Sequence, residues 1–215
     1  MLIGGTALTL RIGHRVSEDL DFAFPSVQLP VQQIDAFLRS VQTAGLRIVA
    51  NQDPLAEEEF LNAGMDLKHY QQNYLVNDTV RITFVAPDPE LTTVLTQGPN
   101  DRLRVATLDE IFASKCLVCA DRSKTRDWFD LYVLMTRHGY AIEDLYQVFE
   151  RLNCLPKFDI ASTRLRNGRP SVGDEGYEQL LAEAPTLGMM TDFFTKQLDQ
   201  LEVQLAKEAF RQKNS

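Results

Sequence analysis

Gly4-Gly5-Thr6-Ala7-Leu8 and, after a spacer of thirteen residues from Gly5, Asp19-Leu20-Asp21-Phe22 form the stretch that decides how this chain folds. Leu2-Ile3 leads into the glycines as a strand end, and Thr6 to Ile12 reads as a helix closed by Gly13. Asp19 to Ala23 reads as a second strand, stopped by Pro25. Alternate side chains of a strand share a face, so Asp19 and Asp21 project together about 7 Å apart, close enough to share Mg²⁺. The helix start at Thr6 offers free N–H groups and a positive dipole end to an anion, and the glycines let the backbone approach a triphosphate. In a two-metal arrangement one ion would activate an attacking hydroxyl and the other stabilise a leaving pyrophosphate. A bare Gly-Gly is commonly a plain turn, and most Asp-x-Asp pairs are solvated. The order and spacing of the two carry the reading.

Outward from this block, Val31 to Thr43 reads as an amphipathic helix with Ile34, Phe37, Leu38 and Val41 on one face, followed by a strand over Leu46 to Ala50. Lys68 to Val76 and Thr79 to Val85 read as a hairpin joined at Asn77-Asp78. From Leu103 the pattern turns helical. Thr107-x-x-Glu110 is a capping box that starts a helix to about Asp121, and a second, apolar nearly all round between Trp128 and Met135, spans Lys124 to Arg137. Tyr140 to Asn153 reads as another helix, Pro156 to Gly176 as a polar mobile loop, and Met190, Phe194, Leu198, Leu201, Leu205 and Ala209 as the stripe of a C-terminal helix. The expected fold class is α+β: a mixed sheet with helices over 1-106, then a helical region over 107-215.

The 215 residues can bury a core without disulfides, and three cysteines, an odd number, suit a reducing cytoplasm. No run approaches the ~18 apolar residues of a membrane span, and the opening segment lacks the basic flank of a signal peptide. A net charge of -8 argues against a general nucleic-acid coat protein but leaves room for a local basic groove. Basic residues gather at Arg11, His14 and Arg15, at Arg122, Lys124 and Arg126, and at Lys157, Arg164, Arg166 and Arg169.

A second block joins Lys115 to Arg122-Ser123-Lys124-Thr125-Arg126-Asp127-Trp128-Phe129-Asp130-Leu131. Lys115 lies among Ile111, Phe112, Leu117 and Val118, so its ammonium either meets a partner such as a nucleotide phosphate or snorkels to solvent. Asp130 sits in the most apolar helix, where an unpaired carboxylate is costly. Its simplest partner is Arg126, one turn away. Trp128 and Phe129 could stack on a base, though aromatics in such a helix are usually core. Cys116-x-x-Cys119 has only Cys154 as a further thiol, whereas a structural zinc takes four ligands; small buried hydrophobes is the expected role. His14 could contact a phosphate beside Arg15 or cap the helix ending at Gly13. The run Arg164 to Arg169 could grip an RNA backbone, or be a solvated loop.

On Gly4 to Leu8, Gly13-His14-Arg15, Ser17, Asp19 to Phe22, and Lys115 through Arg122 to Leu131, the chain resembles the AbiEii/AbiGii toxin family of nucleotidyltransferases. The resemblance implies a polymerase β-like core followed by helices, transfer of a nucleotide from an NTP, onto tRNA ends in some relatives, and an antitoxin encoded alongside. Carried over, Gly4, Gly5, Thr6, His14 and Arg15 hold the triphosphate, Asp19 and Asp21 the Mg²⁺, Lys115 the nucleotide phosphates, and Asp130 is an essential acid, a role Asp127 could share. Relatives generally begin with a helix ahead of the glycines, whereas this chain starts at Met1, which implies a shortened start or a poorly supported first strand. The strand Val80 to Phe84 offers Thr83 where the superfamily often supplies a third carboxylate. The expectation is a cytoplasmic, non-membrane, Mg²⁺-dependent nucleotidyltransferase acting on an RNA hydroxyl. The alternatives are a binding module without turnover, or transfer to a protein or small molecule.

Overall fold

The computed structural model describes residues 1–96, 103–181 and 183–214. Its sheet contains β1 (Leu2–Ile3), β2 (Leu20–Ala23), β3 (Ile48–Ala50), β4 (Gln71–Val76) and β5 (Val80–Val85), ordered β1-β2-β5-β4-β3. β2 runs parallel to β5, and the other neighbours are antiparallel. The described helices are α1 (Gly4–Ile12), α2 (Val31–Thr43), α3 (Pro54–Asn62), α4 (Pro89–Val94), α5 (Leu108–Asp121), α6 (Thr125–Arg137), α7 (Ile142–Arg151), α8 (Leu155–Asn167) and α9 (Leu187–Lys213). This is an α+β chain: a mixed sheet followed by a helical C-terminal region. It divides into two compact units, Met1–Ile111 and Phe112–Ser215.

In the first unit, one face of the sheet is apolar and the other is mixed, with polar residues beside Ile3, Ala23, Val49, Leu75 and Val85. Phe22, Ile48, Tyr74, Ile82 and Phe84 pack with Leu29 and with Ile34 and Leu38 of α2, and the Phe84 ring stacks on Phe22 at 5.6 Å. Strand alternation sends the intervening residues, Asp21, Arg81, Thr83, Gln71 and Asn73, to the opposite face. The β4–β5 hairpin closes through Asn77 and Asp78 with φ of 47° and 58°, the paired left-handed turn that matches strand twist.

β1 is short but paired on both sides. It lies antiparallel to β2, Leu2 N–H donates to the Arg104 carbonyl at 2.7 Å, and Ala106 N–H donates to the Leu2 carbonyl at 2.9 Å. The expected weak support for this strand is thus corrected: residues 104–106 hold its far edge. The capping box forms as read. Thr107 N–H donates to Glu110 Oε2 at 2.8 Å, and Glu110 N–H donates to Thr107 Oγ1 at 3.2 Å.

The second unit packs helix on helix. α6 buries Trp128, Phe129, Leu131, Val133 and Leu134; α7 buries Ile142, Leu145, Val148 and Phe149; α9 buries Met190, Phe194, Leu198 and Leu201. Trp128 and Phe129 are therefore core, and Tyr177 stacks on Phe129 at 5.3 Å. The loop expected over Pro156 to Gly176 is overturned up to Asn167. Residues Leu155–Asn167 form α8, which buries Phe158, Ala161, Ser162 and Leu165 at helical spacing and ends on the left-handed Gly168. Its arginines serve the fold rather than a loop. Arg164 donates to the Cys119 and Ala120 carbonyls at the end of α5, and Arg166 pairs with Asp199 and with Glu202 of α9.

Candidate functional site

The first unit gathers the glycine turn, the paired aspartates and Arg15. α1 begins at Gly4, two residues earlier than its spacing suggests, so both glycines lie in its first turn. Gly4 has φ +73, and a Cβ there would stand 2.5 Å from Asp21 Oδ2. At Gly5 a Cβ would stand 2.5 Å from an Arg15 guanidinium nitrogen and 3.0 Å from Ser17 Oγ. The space left by the two missing side chains is thus lined by the carboxylate and guanidinium of this same chain. Close approach here serves the site's own residues first.

Thr6 ties these parts together. Its hydroxyl lies 2.9 Å from Ser17 Oγ and in hydrogen-bond contact with the Asp19 carbonyl, linking the first turn of α1 to the segment entering β2. Arg15 is 5 % exposed although charged; its Nη1 donates to the Val16 carbonyl at 2.9 Å, and its own carbonyl accepts from Thr9 Oγ1 at 3.0 Å. Asp19 immediately precedes β2, and Asp21 lies within it, paired in register with Thr83 of β5. His14 is half-buried, directly after the helix-ending Gly13. Ser17, which enters the sequence reading only as a residue shared with the family, proves to be the hydroxyl partner of Thr6.

The second unit holds Lys115, Asp127 and Asp130 together. Lys115 Nζ lies 2.6 Å from Asp127 Oδ1 and 2.7 Å from Asp130 Oδ2, with both aspartates wholly buried. Arg122 reaches the same Asp127 through Nε at 2.8 Å. Burial alone would depress the Lys115 pKa, but the facing Asp127 and Asp130 carboxylates reverse that and raise it. Burial would raise Asp127, and the Lys115 and Arg122 charges instead hold it below the usual carboxylate range. Lys115 therefore neither snorkels nor stands exposed: it is a buried cation matched to two anions. Asp130 gains Lys115 as its partner across helices, where the sequence pointed to Arg126, and Arg126 pairs with Glu175.

Cys116 and Cys119 are fully buried, and burial pushes both thiols up, away from thiolate chemistry. Among the described residues no group of three or more His, Cys, Asp or Glu side chains is placed to hold a metal. A cation at Asp19 and Asp21 would draw its other ligands from substrate oxygens and water. For Mg²⁺ that donor set fits, since this ion commonly takes one or two carboxylates together with phosphate oxygens.

The first unit is thus a mixed sheet with a glycine turn set against an aspartate strand. Over residues 1–211 the chain matches the family described as Nucleotidyl transferase AbiEii toxin, Type IV TA system, and it belongs to that family. It is also similar to a protein of Aquifex aeolicus (strain VF5) described as Uncharacterized protein aq_aa25, 28% identical over 155 residues. That alignment covers 70% of this chain and 64% of the relative. Among the described residues no helix is long and apolar enough to cross a membrane.

Proposed function

We propose that this protein moves a nucleotide from an NTP onto a hydroxyl of RNA, such as a tRNA 3′ end, with Mg²⁺, releasing pyrophosphate in the cytoplasm. The observation that carries the reading is the Asp21 carboxylate lying against Gly4 at the start of α1, with Arg15 against Gly5. An anion-attracting helix start, a buried guanidinium and two aspartates then share one small region. In this account Asp19 and Asp21 hold the metal, while Gly4, Gly5, Thr6, His14 and Arg15 receive the triphosphate. Thr6 acts by fixing the turn to the Asp19 segment, since its hydroxyl is already engaged. Bound Mg²⁺ supplies charge neutralisation on the phosphates and acidifies the attacking hydroxyl. For the helical region the family resemblance implies roles for Lys115, Asp127 and Asp130; there the buried Lys115 cation is held between the two carboxylates.

A second reading, nucleotide binding without turnover, draws on Thr83, which holds the register position beside Asp21 with a hydroxyl in place of a carboxylate. Labelled NTPs, Mg²⁺ and total tRNA separate the two. Label on RNA that is lost in Asp19→Ala and Asp21→Ala supports transfer; NTP binding without label, indifferent to Asp21→Ala, supports the binding module. Label on protein or on a small molecule would reassign the acceptor.

A further inference from the structure

On the mixed face that carries Asp21, a row of polar residues continues across two more strands. Asp21 is in register with Thr83 of β5 and Thr83 with Asn73 of β4, so the three form one row. Neighbours in such a row are about 4.8 Å apart. Asn73 is the centre of an amide cluster: its Nδ2 donates to Gln52 Oε1 at 3.1 Å, its backbone N–H donates to the same oxygen at 3.2 Å, and its Oδ1 accepts from Gln71 Nε2 at 3.2 Å. Gln52 Nε2 closes the group by donating to the Gln71 carbonyl at 3.3 Å. All three amides are half-buried. Each side chain gives one of its two N–H donors within the cluster and keeps the other. Gln72, on the apolar face, differs: it is fully buried, donating to the Lys68 carbonyl and accepting from the Tyr74 hydroxyl.

The strand order gives the row a direction. The glycine turn leaves β1 on one flank of β2, while Thr83 and the amides lie on the other. In an in-line displacement the attacking hydroxyl and the leaving pyrophosphate take opposite sides of the reacting phosphorus. With the triphosphate at the glycine turn, the acceptor comes from the β5 and β4 side. The amides there are uncharged, so they suit ribose hydroxyls and base edges better than phosphate; carboxamides pair readily with base edges. Resting on the transfer reaction proposed above, we infer that Asn73, Gln71 and Gln52, with Thr83, form the strip that binds the terminal nucleoside of the RNA acceptor.

The test is transfer to a short RNA at varied concentration by wild type, Asn73→Ala and Gln71→Ala, with NTP affinity measured separately and melting as the folding control. Each variant should raise the RNA KM about tenfold, the worth of roughly one hydrogen bond, and leave kcat and NTP affinity within about twofold. An unchanged RNA KM, or an equal loss of NTP affinity, overturns the inference. Should Asn73→Ala fail to fold, Gln71→Ala, at the first residue of β4, decides. Should the wild type transfer nothing to RNA, the reaction has failed, and the strip is judged by direct binding of the RNA without NTP. Binding that weakens in the variants upholds it; equal or absent binding overturns it.

Discussion

At Gly4 a single methyl group would do two kinds of harm. With φ +73, an alanine pays about 1–2 kcal/mol for the left-handed backbone, and its Cβ would meet Asp21 Oδ2 at 2.5 Å. Gly4→Ala is therefore expected to lower the melting temperature modestly and transfer activity far more, because the displaced atom is a candidate metal ligand. Melting and turnover measured side by side check this, and parallel losses would count against the site. Lys115 behaves oppositely. Removing its charge leaves Asp127 and Asp130 buried without their shared cation, so Lys115→Met should cost about 3–5 kcal/mol in chemical denaturation. Adding Asp127→Asn and Asp130→Asn should recover most of that loss, since the cost lies in uncompensated charge. These pairings lie 12 and 15 residues along the chain across two helices, and the sequence shows only that Lys115 must reach a partner or solvent.

Elements were legible where their signals are local. The hairpin is set by Asn77-Asp78 and the start of α5 by Thr107 and Glu110, so both fall where the residues indicate. α3 is absent from the sequence reading because it buries nothing, leaving no apolar stripe; the usable signal was Asp53-Pro54, an N-cap followed by a proline in the first turn. α8 is masked by its arginines, whose partners on α5 and α9 exist only in the folded unit. The cap at Glu110 has a pH signature. Burial would raise its pKa, but the Arg104 ion pair and the Thr107 and Thr96 N–H donors win, taking it from 4.5 to about 2. Because the folded value is the lower one, this contribution is complete above pH 4.5 and is lost as pH falls toward about 2. Glu110→Gln should flatten that acid limb in a melting-temperature profile; an unchanged profile would contradict the assignment. In the turn, Asp78→Gly should shift stability by less than about 1 kcal/mol, because glycine adopts the positive φ without steric cost but gives up the exposed Arg47 ion pair.

For the whole molecule, the first two dozen residues mark the candidate site, because the glycine turn and the paired aspartates are legible from spacing alone. What they did not encode is who fills the glycine gaps. Asp21 and Arg15 do, so the turn positions the chain's own ionised groups as well as any phosphate. The amide cluster opposite stayed hidden because Gln52, beyond the end of β3, reaches Gln71 and Asn73 of β4 only in the folded unit. On the reading proposed above, Asp21, seated against Gly4, supports nucleotidyl transfer. That reading is tested most directly by incubating wild type and Asp21→Asn, matched for folding, with Mg²⁺, α-labelled NTPs and total tRNA. The account predicts labelled RNA with wild type and a drop of at least about a hundredfold with the variant. Label transfer by Asp21→Asn at the wild-type rate, or none by a wild type that binds NTP, would contradict it.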